Sequence, residues 1–118
     1  MNTEHPLTLV ELWNKQLEIE TKFVSYSNQD PTYKATWTKE YCLAIVREIG
    51  ELLDAVPQSK SWKKSYPPLD IDNLHEELVD IGHFWVALCL LWNLDPHRFV
   101  EVYLRKHREN LRRYGSEY

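Results

Sequence analysis

Four carboxylates at helical spacing are the residues of this sequence best suited to chemistry. Glu48 and Glu51 lie three positions apart in EIGELLDA, and Glu77 and Asp80 repeat that spacing in HEELVDIGHFW. Residues three apart share one face of a helix, so each pair forms a carboxylate pincer. Two such pincers on packed helices repel each other unless a cation lies among them. Because oxygen ligands favour Mg²⁺, Mn²⁺ or Ca²⁺, and Mg²⁺ often also binds phosphates, the pattern predicts a phosphate-handling metal site.

Two other interpretations of these acids are open from the residues alone. A single ExxE pair is common on exposed helix faces, where it needs no function. The segment from Asp80 to His83 also resembles the carboxylate-x-x-His element of di-iron bundles, but such sites use two copies. Asp54 stands where the second histidine would be needed, three positions after Glu51. We therefore favour the hard-metal site and expect His83 to be a core residue or a neighbour of the ligands.

The C-terminal segment EVYLRKHRENLRRYGSEY carries a second set of candidate residues. Tyr103, Lys106, Asn110 and Arg113 recur at steps of three, four and three, so they share one helix face. A cationic face beside a metal cluster suits a triphosphate, because metals neutralise some phosphate oxygens and Lys or Arg bind others. A solvated charged stripe is the alternative, and it is the interpretation we adopt for Arg105, Arg108 and Arg112.

Composition indicates one compact helical domain over residues 1–118. Hydrophobic residues make up 43% of the chain and charged residues 27%, while three Gly and six Pro leave little room for sheet turns. The net charge of −4 argues against general nucleic-acid binding, and the longest apolar run, Phe84–Trp92, is too short to cross a bilayer. We expect a cytoplasmic protein without a membrane partner, in which Cys42 and Cys89 are reduced, buried thiols.

The elements that must position these residues are predicted to be four principal helices. A capping box at Thr8 and Glu11 opens the first helix, Pro57 ends the second, and Asp95-Pro96 opens the fourth. The third helix begins after a cap at Asp70 or Asp72. The predicted spans are about 9–25, 37–56, 71–93 and 96–113. Short connections predict an all-α antiparallel bundle in which sequential helices pack together.

These motifs resemble the all-α nucleoside triphosphate pyrophosphohydrolases, which include MazG-type enzymes and the dimeric, all-helical dUTPases. The resemblance rests on EIGE, EELVDIGHF, the loop SWKK and the terminal YxxKxxxNxxRxxG. The loop and the tail are similar to the dUTPase branch in particular. Gln16, in LWNKQLEIETKF, is similar to the glutamine that this branch carries on its first helix near the base.

The resemblance implies hydrolysis of a nucleoside triphosphate to the monophosphate and pyrophosphate. Glu48, Glu51, Glu77 and Asp80 would bind Mg²⁺ or Mn²⁺, and Glu48 would also be the general base. Lys63, Lys106 and Arg113 would contact phosphates, while Tyr103 and Asn110 would hold the sugar or base. Trp62 would either pack the loop or cover the nucleotide. The implied substrate-binding set is Gln16, Trp62, Lys63, Tyr103, Lys106, Asn110 and Arg113.

The substrate that the resemblance implies first is dUTP. The chain is shorter than the usual dimeric dUTPase and lacks the extra helices that complete the base pocket there. Its length is closer to a compact MazG-like or phage-type enzyme, so a purine substrate such as dGTP is an alternative.

A non-enzymatic helical interaction module with a basic tail is the alternative from a different class. The five tryptophans could then form a partner surface: Trp13, Trp37, Trp62, Trp85 and Trp92. Metal binding distinguishes the two, because only the enzyme should bind Mn²⁺ or Mg²⁺ through Glu51. The apolar third helix also predicts a homodimer or a dimer of dimers, in which a second chain can complete the active site.

Overall fold

The computed structural model describes residues 7–117, and within that range it contains helices and no strands. This confirms the predicted all-α fold with four principal helices. A single 3₁₀ turn, Pro57–Ser59, follows the second helix. The helices are α1 (Leu9–Glu20), α2 (Pro31–Ala55), α3 (Ile71–Leu91) and α4 (Pro96–Glu117).

The first helix begins as predicted and ends earlier than predicted. Thr8 and Glu11 form the capping box, in which each side chain binds the other residue's backbone N–H. The helix ends at Glu20 rather than near Ser25, and the next residues form tighter turns, with the N–H of Phe23 donating to the Glu20 carbonyl. Val24, whose N–H donates to the Glu20 carbonyl at 2.9 Å, follows these turns and lies in the core.

The second helix begins six residues before the predicted Trp37. Asp30 is its N-cap, because its side chain accepts from the Tyr33 N–H, and Pro31 occupies the first helical position. The predicted span began at residue 37 and left out this Asp-Pro pair, although the same pair at residues 95 and 96 was predicted to open a helix. At α3, Asp70 is the cap and accepts from the Asn73 N–H at 3.1 Å.

Helices α2 and α3 form the principal packed pair, and α1 lies against α3. One core cluster joins Val24 and Tyr41 to residues 87 and 91 of α3, and a second joins Trp13 to residues 86 and 89. The indole N–H of Trp13 donates to the carbonyl of Leu94 at 3.0 Å, which ties α1 to the α3–α4 connection. The site residues on α2 and α3 therefore lie on the most firmly packed part of the chain.

The fourth helix departs from the predicted antiparallel packing, because its axis turns by 105° relative to α3. Phe99 connects its first turns to the bundle, with its ring 5.9 Å from Trp13 and 5.3 Å from Trp85. The radius of gyration is 18.1 Å, whereas a compact chain of this length would have about 13–14 Å. In the described residues no single helix has the length and apolarity to span a membrane, and only the bent α3–α4 pair taken together passes that test.

The apolar side of α2 is largely exposed in the single chain. Its members have exposed fractions of 43–64% and are Leu43, Val46, Ile49 and Leu53. Cys42 is also exposed, so the prediction that both thiols are buried was wrong for this one. Cys89 is buried as predicted, and burial raises the pKa of its thiol to about 11.

Candidate functional site

Three of the four predicted carboxylates converge where α2 packs against α3. Glu48 and Glu51 on α2 and Glu77 on α3 each place a carboxylate oxygen within 4.8 Å of the other two. Asp80 follows Glu77 by one turn of α3, and its charge acts on both Glu48 and Glu77. Tight packing of α2 against α3 thus turns two local sequence patterns into one acidic cluster.

The environment of the cluster disfavours its negative charges. Desolvation raises the pKa of Glu48, and a hydrogen bond with Glu51 and the charges of its acidic neighbours raise it further. Desolvation also raises the pKa of Glu77, followed by the charges of Glu51 and Asp80. Within the described residues, Glu48 Oε2 and Glu77 Oε2 are buried without a hydrogen-bond partner. Buried polar atoms are normally paired, so these two oxygens point to a missing positive or donating group.

The geometry of this acidic cluster fits a divalent cation. Two oxygens bound to one Mg²⁺ at about 2.1 Å can be at most about 4.2 Å apart. The observed limit of 4.8 Å among the three oxygens is only slightly wider. A small inward movement would therefore bring them into coordination, and the remaining positions would stay open for phosphate or water. No Lys or Arg among residues 7–115 forms an ion pair with these four acids.

A cavity of about 510 Å³ adjoins the cluster and contains Glu48 and Asp80 in its wall. This volume is within the range of small-molecule sites. Gln16 also lines it, so the structure brings this predicted base-binding residue into the same cavity as the predicted metal ligands. His83 is an exposed residue of the cavity wall, not the core residue that was one of our two expectations. The rest of the wall is largely aromatic, with Phe23, Trp37, Tyr41 and Phe84.

Glu20 lies in the wall of this cavity and was not among the residues predicted from the sequence. It is a buried acid that accepts from Gln16 Nε2 at 2.9 Å and from the Tyr41 hydroxyl at 2.5 Å. Burial first, and then the bond to Glu20, raise the pKa of Tyr41 well above its usual value, so this hydroxyl keeps its proton and donates. One signal was available: Glu20 follows Gln16 by four residues and therefore lies on the same face of α1.

The predicted loop residues lie between the 3₁₀ turn and α3. Trp62 and Lys63 are both exposed, and the Trp62 side chain is 75% exposed. A tryptophan this exposed packs little against the chain in its present conformation. Of the two roles expected for Trp62, covering a bound nucleotide therefore agrees better with its position than loop packing does.

The predicted residues of α4 do not join the cluster within the single chain. Lys106 is ten residues into α4 and Glu77 is fourteen residues before the end of α3. With 1.5 Å per helical residue and the observed turn of 105°, the straight-line distance between the two positions on the helix axes is roughly 20 Å. Tyr103 stacks on His107 with ring centroids 6.2 Å apart, so it has a neighbour on its own helix. Asn110 and Arg113 lie still further along α4.

Comparison with known proteins gives one match that covers most of the chain. A family profile described as dUTPase matches residues 8–110, a range that includes the acidic cluster, the aromatic cavity and most of α4. No curated protein and no solved structure gives a significant match. The profile covers far more than half of the chain, and the protein therefore belongs to this all-helical dUTPase family.

Proposed function

We propose that this protein is a divalent-metal-dependent pyrophosphohydrolase that converts dUTP to dUMP and pyrophosphate. The observation that carries the proposal is the convergence of Glu48, Glu51 and Glu77 beside a nucleoside-sized aromatic cavity. Membership of the dUTPase family supports a nucleotide substrate and this type of hydrolysis. The acids would lie at the phosphate end of the substrate and the cavity at its base.

Glu48, Glu51, Glu77 and Asp80 are the residues that would hold Mg²⁺ or Mn²⁺. A bound divalent ion would neutralise charge on the phosphate oxygens and increase the acidity of water. Glu48 is the proposed general base, with the buried, unpaired Oε2 as the atom that receives the proton of the attacking water. Desolvation and the acidic neighbours raise the pKa of Glu48 in the metal-free chain, the direction that favours a general base.

Binding of the phosphates is assigned to Lys63, Lys106 and Arg113, with Tyr103 and Asn110 at the sugar or base. Lys63 is on the exposed loop, where Trp62 could cover the nucleotide once it is bound. The other four are on α4, which turns away from α3. We therefore assign their action to a second copy of the chain, whose α4 would reach the cluster of its partner.

The proposed assembly is a homodimer or a dimer of dimers of single-domain chains, each comprising residues 1–118. Three features support it: the exposed apolar side of α2, the projecting α4 and the large radius of gyration. A compact monomer of this size would be expected to bury more of such apolar surface. The free thiols agree with a cytoplasmic location, where cysteines are kept reduced.

The deciding experiment incubates the pure protein and Mg²⁺ with a panel of ribo- and deoxynucleoside triphosphates and separates the products. Monophosphate and pyrophosphate from dUTP are the expected result. A preference for dGTP would instead favour the MazG-like alternative. Release of orthophosphate would contradict the reaction class. No turnover of any nucleotide, together with no Mn²⁺ binding, would favour the helical interaction module.

A further inference from the structure

The side-chain amide of Gln16 is held in one orientation by Glu20. The two residues are each 7% exposed, and Gln16 Nε2 donates to Glu20 Oε1 at 2.9 Å. Glu20 is the acceptor in this hydrogen bond, so the NH₂ side of the amide faces Glu20. Tyr41 donates to the other oxygen of Glu20, which holds the carboxylate in place. The carbonyl Oε1 of Gln16 cannot exchange places with Nε2 without facing this acid.

A fixed amide presents a hydrogen-bonding pattern with a direction. One N–H of Gln16 Nε2 is used by Glu20, which leaves Oε1 as an acceptor and the second N–H as a neighbouring donor. Uracil has a ring N–H beside a carbonyl, and guanine has the same order of groups. Cytosine and adenine have the reverse, a ring nitrogen acceptor beside an amino donor. They would match only an amide turned by 180°, with Oε1 against the carboxylate of Glu20.

The cavity around Gln16 is the place where a base would lie. The aromatic side chains of Phe23, Trp37 and Phe84 line it and can contact the faces of a planar ring. The same wall contains Glu48 and Asp80, so a nucleotide with its phosphates at the acidic cluster extends its base towards Gln16.

We infer that Glu20 is a positioning residue that limits the substrate to keto bases, uracil or guanine, by fixing the amide of Gln16. This inference rests on the proposed function and adds a rule for the base. Glu20 acts through Gln16 and not on the phosphates. Its removal should therefore change the choice between nucleotides more than the rate of hydrolysis.

The test compares kcat/KM for dUTP and dCTP in the wild type, Glu20→Gln and Glu18→Gln. The Glu18→Gln control removes the same charge from an exposed position of α1. A base that leaves buried groups unpaired loses up to about 100-fold, so we expect the wild type to prefer dUTP by about that factor. Glu20→Gln should lower the preference at least about tenfold, because its neutral amide can also donate to a turned Gln16. Glu18→Gln should keep the wild-type preference for dUTP.

The ratio of kcat/KM for dUTP to that for dCTP separates a change in specificity from damage to the site, because a merely destabilised site loses activity towards both nucleotides together. Equal kcat/KM for dUTP and dCTP in the wild type would overturn the inference and leave the pyrophosphohydrolase activity standing. An unchanged ratio in Glu20→Gln would overturn it as well. Absence of any hydrolysis would contradict the proposed function instead.

A binding measurement on the wild type tests the same rule without turnover and without a variant that has to fold. Tryptophan fluorescence reports binding of dUMP, dCMP and 3-methyl-dUMP in the absence of metal, since Trp37 lines the cavity. The inference expects dUMP to bind best, because 3-methyl-dUMP lacks the ring N–H that Gln16 Oε1 would accept. Equal binding of all three would contradict it.

Discussion

Replacing Glu51 by Gln should have opposite effects on the metal-free and metal-bound protein. Glu51 contributes to the raised pKa of both Glu48 and Glu77. A carboxylate with a raised pKa binds protons more tightly in the folded chain, so folding loses stability as pH rises from about 4.5 through the folded pKa. The metal-free wild type carries this cost once these carboxylates ionise, and Glu51 adds to it. Glu51→Gln should therefore raise the metal-free Tm and weaken metal binding.

The size of the metal effect follows from the length of the chain. For 118 residues, unfolding entropy is about 0.25 kcal/mol/K, so each 1 kcal/mol shifts Tm by about 4 °C. Mn²⁺ at 100 times its Kd should then raise the wild-type Tm by about 11 °C. Loss of a direct ligand should cost at least the 100-fold in affinity that loss of an outer hydrogen bond can cost. The same Mn²⁺ concentration should raise the variant by only about 2 °C.

Differential scanning calorimetry at pH 7, with EDTA and then with Mn²⁺, measures both effects. Glu40→Gln is the matched control, because it makes the same substitution at an exposed position of α2 outside the acidic cluster. We expect Glu51→Gln to melt above the wild type in EDTA and below it in Mn²⁺, while Glu40→Gln follows the wild type in both. If Glu51→Gln melted lower in EDTA and gained as much from Mn²⁺ as the wild type, the convergence of these acids on one ion would be refuted.

Three further predictions concern the fold around the site. Tyr41→Phe removes a buried donor to Glu20 and should destabilise the chain by about 1–3 kcal/mol in urea unfolding; no loss would contradict the bond. Phe99→Ala should release α4, seen as faster hydrogen exchange in α4 with little change in α2, whereas equal protection would show that other contacts hold this helix. Val46→Glu on the exposed apolar side of α2 should convert the proposed dimer to a monomer in light scattering; a wild type that is already monomeric at micromolar concentration would refute the dimer.

The features of the fold and of the site that the sequence predicts are those with local signals. Thr8 and Glu11 form a capping box within four residues, and the structure has the same contacts. The carboxylate pairs are equally local, because residues three apart share a face in any helix. Their convergence needed only that α2 and α3 pack together, which two apolar helices consecutive in the sequence favour even across the connection of residues 56–70.

The parts that sequence reasoning missed depend on contacts between distant residues. Glu20 and Tyr41 are 21 residues apart and belong to different helices, so no local pattern joins them. Leu43 and Val46 lie three residues apart, a spacing typical of a helix, yet periodicity does not say what covers an apolar face, and this face is exposed in the chain. The direction of α4 likewise depends on Phe99 packing against two tryptophans from other helices.

The two halves of the candidate site, the acidic cluster and the aromatic cavity, would contact different parts of a substrate. Changes in the cluster should therefore affect the rate, and changes around the cavity should affect the specificity. The acidic cluster acts on phosphates, which all nucleoside triphosphates share, so a change at Glu51 should lower activity towards all of them by a similar factor. The cavity would contact the base, which is the part that differs between nucleotides, and Glu20 would affect the base only through the amide of Gln16. A change at Glu20 should therefore alter the order of substrates while the metal-linked rise in Tm stays. Since the wall of the cavity includes Glu48 and Asp80, a nucleotide could engage both halves at once only when its base fits beside Gln16.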